Sequence, residues 1–586
     1  MWLIATLTST LAGALPTPPT VELSVERVRR STAGPNFLCY NLDASANRGF
    51  FWRNISLHNG LGQRIARQAA ALALGQEAEY SLLRFGGEGN DFLTYAFGGD
   101  SCPQPATPTH QCMNESTWRA VLDLSAASNA RLIVGLSMNT GVDLGRRRPG
   151  DDPFPYPWDP SNARKLLQWT IDAKLDHLIY GLELGNEQNA KYSATQIAHN
   201  FAILAQLTKE LWPAHTHASG SSGHVPPKIF GPDPHGLHTP TRARESPRLL
   251  GPDPHSFRGG LPGTNATLEW IREWLTASRA AGVPVHAVTH HEYIEVEPNA
   301  SGFTDPTRLD MSGEIAHKVN ATVRSVDANV AIIAGEIGPH NGGNPPCNHS
   351  SMRWAVFGDS LWYADALAAK AFHGYEAFCR QDLIGGDYGL LDCRDGTALP
   401  DYFVALLWTR TMGRVVLSTR ARAEDEGEGA GALHWSLGGA ATAFAHAGQH
   451  EHEHEPSAGG AAALLRLYAQ CSAPSGGFAA GSVTVLAINL DQRARGLTFE
   501  GLGKDALAYA LEANGDPNAS LTGKGGLLGT GVLLNRRPVS VGVDGTVPPL
   551  PAEAVGKATV VVPPVSVAFY VLPHAAHPEC SGSEKA

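Results

Sequence analysis

The stretch LIYGLELGNEQN, residues 178–189, is a short apolar run that turns polar at Gly185-Asn186-Glu187. Apolar runs of this length, bounded by turn residues, read as buried strands. The polar end sets a carboxylate two residues after a glycine. NVAIIAGE (329–336) repeats the design, with Gly335-Glu336 closing the run. Working outward, similar runs stand at FLCYNL (37–42), LLRF (82–85), RLIVGL (131–136), KIF (228–230), PVHAVT (284–289) and YEAFC (375–379). Helical patterns lie between them, near 61–75, 117–128, 161–175, 194–212, 267–280, 312–325 and 359–372. In 161–175, Ala163, Leu166, Leu167, Ile171 and Leu175 share a face, and SNA at the start is expected to supply the N-cap. Eight strands alternating with helices over roughly 350 residues predict an α/β fold, a (β/α)8 TIM barrel. A doubly wound sheet is the competing architecture. GGEG (86–89) follows a strand but lacks GxGxxG, so no dinucleotide site is expected.

The flanks read differently. MWLIATLTSTLAGA (1–14) ends in small residues and fits a signal peptide. Residues 15–34 hold a Pro-rich linker and TVELSVER (20–27), whose alternation suits a half-buried strand. The barrel is assigned to 35–398. After one more helical pattern, PDYFVALLWTRTMG (400–413), short strands follow at VTVLAINL (483–490), ATVVVP (558–563) and VSVAFYVL (565–572). They predict a C-terminal antiparallel β-sandwich over 399–576 that also takes the N-terminal strand, with 422–462 a low-complexity loop and 577–586 a tail.

The 586 residues include 63 Gly, 40 Pro and 12 Trp and are 43% hydrophobic, which suits a loop-rich folded protein and excludes global disorder. The net charge of −11 excludes a dedicated nucleic-acid binder; Arg146–Arg148 is the one compact basic run. No apolar stretch is long enough to span a bilayer, so no transmembrane segment is expected, and peripheral membrane association stays open. Sequons at Asn54, Asn114, Asn265, Asn299, Asn320, Asn348 and Asn518 agree with a glycoprotein of the secretory pathway, extracellular or in a lysosome or vacuole. Among the eight cysteines there is no CxxC; Cys102 and Cys112 bracket a short Pro-rich loop, and Cys39 and Cys379 read as core thiols. His450, His452 and His454 are not spaced as a zinc site, and no metal or other cofactor is expected. GPDPH occurs at 231–235 and again at 251–255, which reads as an inserted loop after the fifth strand.

Catalytic groups of such barrels stand at the C-terminal ends of strands, which singles out Glu187 and Glu336. Two carboxylates across a barrel mouth can hydrolyse a glycoside, one protonating the leaving oxygen and the other attacking the anomeric carbon. From spacing alone, either could equally be a rim carboxylate in a salt bridge.

The sequence around both resembles the heparanase family of retaining glycosidases, glycoside hydrolase family 79 of the Asn-Glu clan. The likeness extends to NFLCYNLDAS (36–45), LLRFGGEGNDF (82–92), WDPSNARKLLQWT (158–170), THHEY (289–293), FCRQDLIGGDYGLLD (378–392), PPLPAEA (548–554) and VPPVSVAFYVLP (562–573). The resemblance implies Glu187 as acid/base and Glu336 as nucleophile. It implies that Asn186 meets the sugar 2-hydroxyl and that His291 and Tyr293 sit beside the nucleophile. The carboxylate of a β-glucuronide would meet Gly342, Gly343 and Tyr388 in the company of Gly386, and Asp43 and Gln381 would bind hydroxyls. Cys471 and Cys580 would pair. The expected activity is a retaining β-glucuronidase acting on glucuronic-acid-containing glycans or proteoglycans. The alternatives are an endo-enzyme specific for heparan sulfate and an inactive glycan-binding protein on the same scaffold. Two departures stand out. The segment between 91–93 and 117–118 is too short for the excised linker of animal heparanases, and basic clusters for sulfated chains are missing, Arg258 being the nearest candidate.

Overall fold

The computed structural model describes residues 19–43, 55–77, 80–91, 93–102, 111–138, 156–213, 226–237, 264–341, 353–385, 387–423, 464–503, 505–515, 525–556 and 559–581. The expectations placed on residues 1–14, Arg146–Arg148, His450, His452, His454, the second GPDPH copy and most of 422–462 lie outside them.

The chain enters through β1 (Thr20–Thr32), which belongs to the C-terminal sheet. The barrel follows with β2 (Leu38–Leu42) and β3 (Ser81–Phe85), then a small parallel pair, β4 (Leu93–Ala96) and β5 (Gln111–Asn114). It continues through β6 (Ala130–Leu136), β7 (Ile179–Leu184), β8 (Lys228–Gly231), β9 (Val285–Tyr293), β10 (Ala331–Gly338) and β11 (Ala377–Arg380). All barrel pairs are parallel, and β11 returns to β2 to close the ring. Each expected apolar run is one of these strands. Side chains pointing inward fill the interior in a layer that includes Leu82, Ile133, Phe230, Ala287, Ile333 and Ala377. Gly181 on β7 leaves room for this packing, since a Cβ there would meet the Phe230 ring at 1.8 Å.

Cys39 and Cys379 are not free core thiols, as the sequence suggested, but a disulfide in that interior layer. They are register partners on β2 and β11, with Cα atoms 4.1 Å apart. Cys102–Cys112 and Cys471–Cys580 are also bonded.

Most helices pack outside the barrel through one apolar stripe, whereas Phe357–Phe372 is buried all round between the barrel and the C-terminal sheet. The helix Ala194–Leu211 buries Ile197, Phe201, Leu204 and Leu207, and Ser193 with Gln196 forms a capping box at its start. The helix Ser161–Asp172 differs from expectation at its N-terminus. Its N-cap is Pro160, which cannot cap by a side chain; the Asp159 carboxylate accepts from the Ser161 N–H instead. Asn162 is drawn away to pair with the Tyr95 backbone through both its amide atoms.

After the buried helix Pro400–Thr411 the chain enters β12 (Met412–Ala423) and an 11-stranded sheet. β1 runs antiparallel to β12 and parallel to Arg495–Glu500, so both ends of the chain build this sheet. It encloses a second apolar core around Leu23, Val485, Leu497, Val562 and Leu572. Arg466 and Tyr468 fasten it to the barrel by binding the Asp365 carboxylate on the helix Phe357–Phe372.

Candidate active site

Strand ends of the barrel converge on one buried cluster of charges. Glu187 follows β7 with φ 54°, a left-handed conformation uncommon for a residue with a side chain, and Gly185, two residues earlier, has φ 74°. A Cβ on Gly185 would meet Met138 Sδ at 2.6 Å, so the turn demands glycine there. Glu336 sits at a bulge on β10: Ala334 pairs with His290 and Glu336 with His291, leaving Gly335 as the extra residue. Gly335 lies against Asp233, whose Oδ1 would be 2.7 Å from a Cβ at that position.

The hydrogen bonds of the two glutamates differ in kind. Oε1 of Glu187 lies 2.8 Å from His291 Nδ1 and 2.9 Å from His235 Nδ1. Glu336 accepts from the Tyr293 hydroxyl at 2.5 Å and from Arg84 Nη1 at 3.2 Å. Ligand atoms of Glu187, His291 and Glu336 all lie within 4.8 Å of one another, so the two carboxylates face each other at close range. His291 was expected beside Glu336; it stands 3.8 Å from that carboxylate and gives its hydrogen bond to Glu187.

Arg84 is the hub. Its guanidinium, 1% exposed, reaches Glu183 (2.7 Å), Glu336 (3.2 Å), Asn186 Oδ1 (3.2 Å) and Asp233 (3.4 Å). Burial alone would lower its pKa, but the charges of Glu183, Asp233 and Glu336 outweigh this and hold it cationic. His291 is under the same two influences. Burial disfavours its cation, while Glu336, Asp233 and Glu187 favour it and push it up to about 10. Glu183 is pushed up to about 8, by burial first and against the pull of Arg84. Burial would raise Glu187 too; the hydrogen bonds from His235 and His291 prevail and hold it well below the usual carboxylate range.

A trio of Glu187, His291 and Glu336 could in principle ligate a cation. The His291 ring, however, already engages Glu187 through Nδ1 and Asp233 through Nε2, and the Arg84 guanidinium donates to Glu336 Oε2. The arrangement suits acid–base and nucleophilic chemistry better than metal binding.

Other expected residues gather around this cluster. Asn186 is anchored by its backbone N–H to Asp91 at 2.8 Å. Gln381 donates to Asp43 at 3.3 Å, and Asp43 packs on Gly87, whose φ is 109°. Tyr388 is buried beside Gly338, where Tyr293 also packs. Asp382, next to them, was not anticipated: it is fully buried, neither carboxylate oxygen finds a side-chain hydrogen-bond partner among the described residues, and burial followed by the Asp43 charge pushes it up to about 8. His290 is a core residue bonded to Tyr375. Gly342, Gly343, Gly386 and Arg258 lie outside the described residues, as do Asn54, Asn348 and Asn518. Of the other sequons, Asn114 and Asn265 are exposed, while Asn299 and Asn320 are half-buried.

Arg84, Asp233 and His235, like Glu183 and Asp382, are residues of the site to which the sequence assigned no role. An arginine inside an apolar strand is a signal in itself, since a buried cation must be paired. For Asp233 and His235 the signal was the GPDPH repeat, whose first copy follows β8 into the site.

Residues 70–232 match the profile described as glycosyl hydrolase family 79, N-terminal domain. Heparanase-like protein 1 of Arabidopsis thaliana is 25% identical over 357 residues, 58% of this chain and 56% of that protein. The chain thus spans little more than half the length of that relative. The baicalin-β-D-glucuronidase of Scutellaria baicalensis is 25% identical over 445 residues, covering 68% of this chain and 72% of the relative. Among solved structures, a 4-O-α-L-rhamnosyl-β-D-glucuronidase from Fusarium oxysporum 12S superposes with a TM-score of 0.54 at 14% identity, over 94% of this chain and 100% of that one. At that identity the likeness speaks for the fold alone.

Proposed function

Because the chain belongs to the heparanase-like family, glycoside hydrolase family 79, we propose that it is a retaining β-glucuronidase that cleaves glucuronosyl bonds in glycans by double displacement. The observation that carries this reading is the approach of the Glu187 and Glu336 carboxylates to within 4.8 Å. Retaining enzymes hold their carboxyl groups about 5–5.5 Å apart, whereas inverting ones need about 6.5–9.5 Å to admit a water.

In this account Glu336 attacks the anomeric carbon while Glu187 gives a proton to the leaving oxygen. The C1–O bond to the aglycone breaks and a glucuronosyl ester forms on Glu336. Glu187, now ionised, takes a proton from water, which attacks C1 and releases Glu336. Arg84 and Tyr293 hold the nucleophile aimed through their two hydrogen bonds. Asn186, its Oδ1 occupied by Arg84, has its amide N–H groups left for the sugar 2-hydroxyl, a contact that strengthens as oxocarbenium character develops.

Substrate choice follows from charge. The net charge of −11 gives little long-range attraction for a polyanion. Unsulfated glucuronides should be cleaved at least as well as heparan sulfate, with KM nearly independent of salt. The disulfides suit an oxidising compartment and support the proposal that the protein works in the secretory pathway or outside the cell.

The test is hydrolysis of 4-nitrophenyl β-D-glucuronide beside a panel of glucuronic-acid-containing polymers of graded sulfation, read by product size. Release of 4-nitrophenol that is lost in Glu336→Gln supports the reading. Binding without turnover favours the inactive glycan-binding alternative, and a KM rising steeply with salt favours the heparan-specific one.

A further inference from the structure

The first GPDPH copy has a use that the two-carboxylate scheme leaves open. His235, 4% exposed, is held by its backbone: its N–H donates to Asn189 Oδ1 at 3.0 Å, and its carbonyl accepts from Asn189 Nδ2 at 2.8 Å and from Thr267 at 3.1 Å. The loop is fastened a second time by the Glu187 N–H, which donates to the Asp233 carbonyl at 3.1 Å. The ring is therefore delivered to Glu187 by a loop locked to the segment that carries Glu187 itself. Its Nδ1 shares one oxygen, Oε1, with Nδ1 of His291.

An oxygen flanked by two ring nitrogens accepts from both N–H groups most readily when it is ionised, and hydrogen bonds to the charged form favour that form. We propose that His235 is a positioning residue of the reaction: with His291 it clamps the Glu187 carboxylate and biases it toward the ionised state, making Glu187 a ready base and a sparing acid. This rests on Glu187 being the acid/base. The consequence is a division between substrates. A glucuronide whose aglycone leaves as a stable anion, such as a nitrophenol, needs no proton and is unaffected. An alkyl or sugar aglycone needs the proton, and its cleavage is confined to lower pH by the clamp.

The groups that set the balance all face this carboxylate or its partners. His291 comes from β9, Glu336 from β10 and Arg84 from β3, the last reaching Asn186 and Glu336. Asp233 shares the loop of His235 and lies 3.3 Å from His291 Nε2. Tyr293 is bonded to Glu336. The charges of His291, Arg84, Asp233 and Glu336 remain when His235 is replaced, so the change isolates one donor.

The experiment is the pH dependence of kcat/KM for methyl β-D-glucuronide and for 4-nitrophenyl β-D-glucuronide in the wild type, His235→Ala and His235→Gln. For the methyl glycoside, His235→Ala should move the alkaline limb up by about one pH unit, so that cleavage on that side rises about tenfold. The nitrophenyl profile should keep its alkaline limb. His235→Gln, which retains a neutral N–H donor, should fall between. Superimposable wild-type and His235→Ala profiles overturn the proposal, as does an equal loss on both substrates at every pH. Glu187→Gln separates the two levels: if it still cleaves the methyl glycoside at the wild-type rate, the acid/base reading has failed; if not, only the role of His235 is at stake.

Discussion

The hydroxyl of Tyr293 lies 2.5 Å from Oε1 of Glu336, while Arg84 holds the other oxygen of the same carboxylate at 3.2 Å. A nucleophile fixed at both oxygens has its orientation set before substrate arrives. A charge-assisted hydrogen bond of this kind contributes about 1.5–3 kcal/mol. Tyr293→Phe should therefore lower kcat for an aryl glucuronide by roughly 10–100-fold while leaving the melting temperature within a few degrees of wild type. Steady-state kinetics with a thermal melt checks this; an unchanged kcat would remove Tyr293 from the mechanism.

Glu187→Gln should spare substrates with good leaving groups in the first step and slow the second, which needs the base. A burst of 4-nitrophenol followed by a slow steady rate is expected from stopped-flow measurement. Methyl β-D-glucuronide should become inert. Equal losses on the two substrates would show that Glu187 does not deliver the proton.

Asp382 governs a stability prediction. Its carboxyl is buried with no side-chain partner among the described residues, and burial pushes it up to about 8 from an ordinary 3.8. The folded state thus holds a proton that the unfolded state gives up earlier. The stability this proton confers is fully present below about pH 4 and is lost as pH rises toward 8. Asp382→Asn should gain little at pH 4 and several degrees of melting temperature at pH 8. Glu183, also raised to about 8, works in the same direction and remains in the variant, so some decline with pH should persist. A melting-temperature gap that does not widen between pH 4 and pH 8 would show that Asp382 is ionised in the fold.

Cys471 and Cys580 are bonded across 109 residues, tying the end of the chain to the C-terminal sheet. In the chain-entropy model a loop of that size contributes up to about 4–5 kcal/mol. Cys580→Ser should lower the melting temperature by several degrees and leave kcat/KM of the surviving fold near wild type, because the bond packs with the core of the C-terminal sheet and touches none of the site residues. Thermal melts under non-reducing conditions test it; unchanged stability would mean that the sheet holds the terminus without the bond.

The barrel was legible because each strand is a self-contained apolar run, and a run's meaning does not depend on its neighbours. Glu187 and Glu336 were legible as candidates because each ends such a run within two residues of a glycine, and the family resemblance supplied their roles. What was hidden depends on closure. Cys39 and Cys379, 340 residues apart, become neighbours only because the first and last strands of the ring pair, and an apolar setting suits a disulfide as well as a thiol. Arg84 reads as an interruption of LLRF until Glu183, Asp233 and Glu336, from three other segments, surround it. The N-cap expected from SNA failed because the Ser161 hydroxyl donates to Asp159 and Asn162 pairs with the Tyr95 backbone, a tertiary contact overriding a local preference.

In the proposed mechanism Glu336 becomes covalently bonded to the sugar. Incubation with 2-deoxy-2-fluoro-β-D-glucuronyl fluoride, followed by proteolysis and mass spectrometry, tests it, because the fluorine at C2 slows both steps while the fluoride leaving group keeps formation of the intermediate the faster one. The account predicts one added fluoroglucuronosyl group, carried on the peptide containing Glu336 and absent from Glu336→Gln. A label on Glu187, or turnover with no adduct and release of the α-anomer, would contradict it.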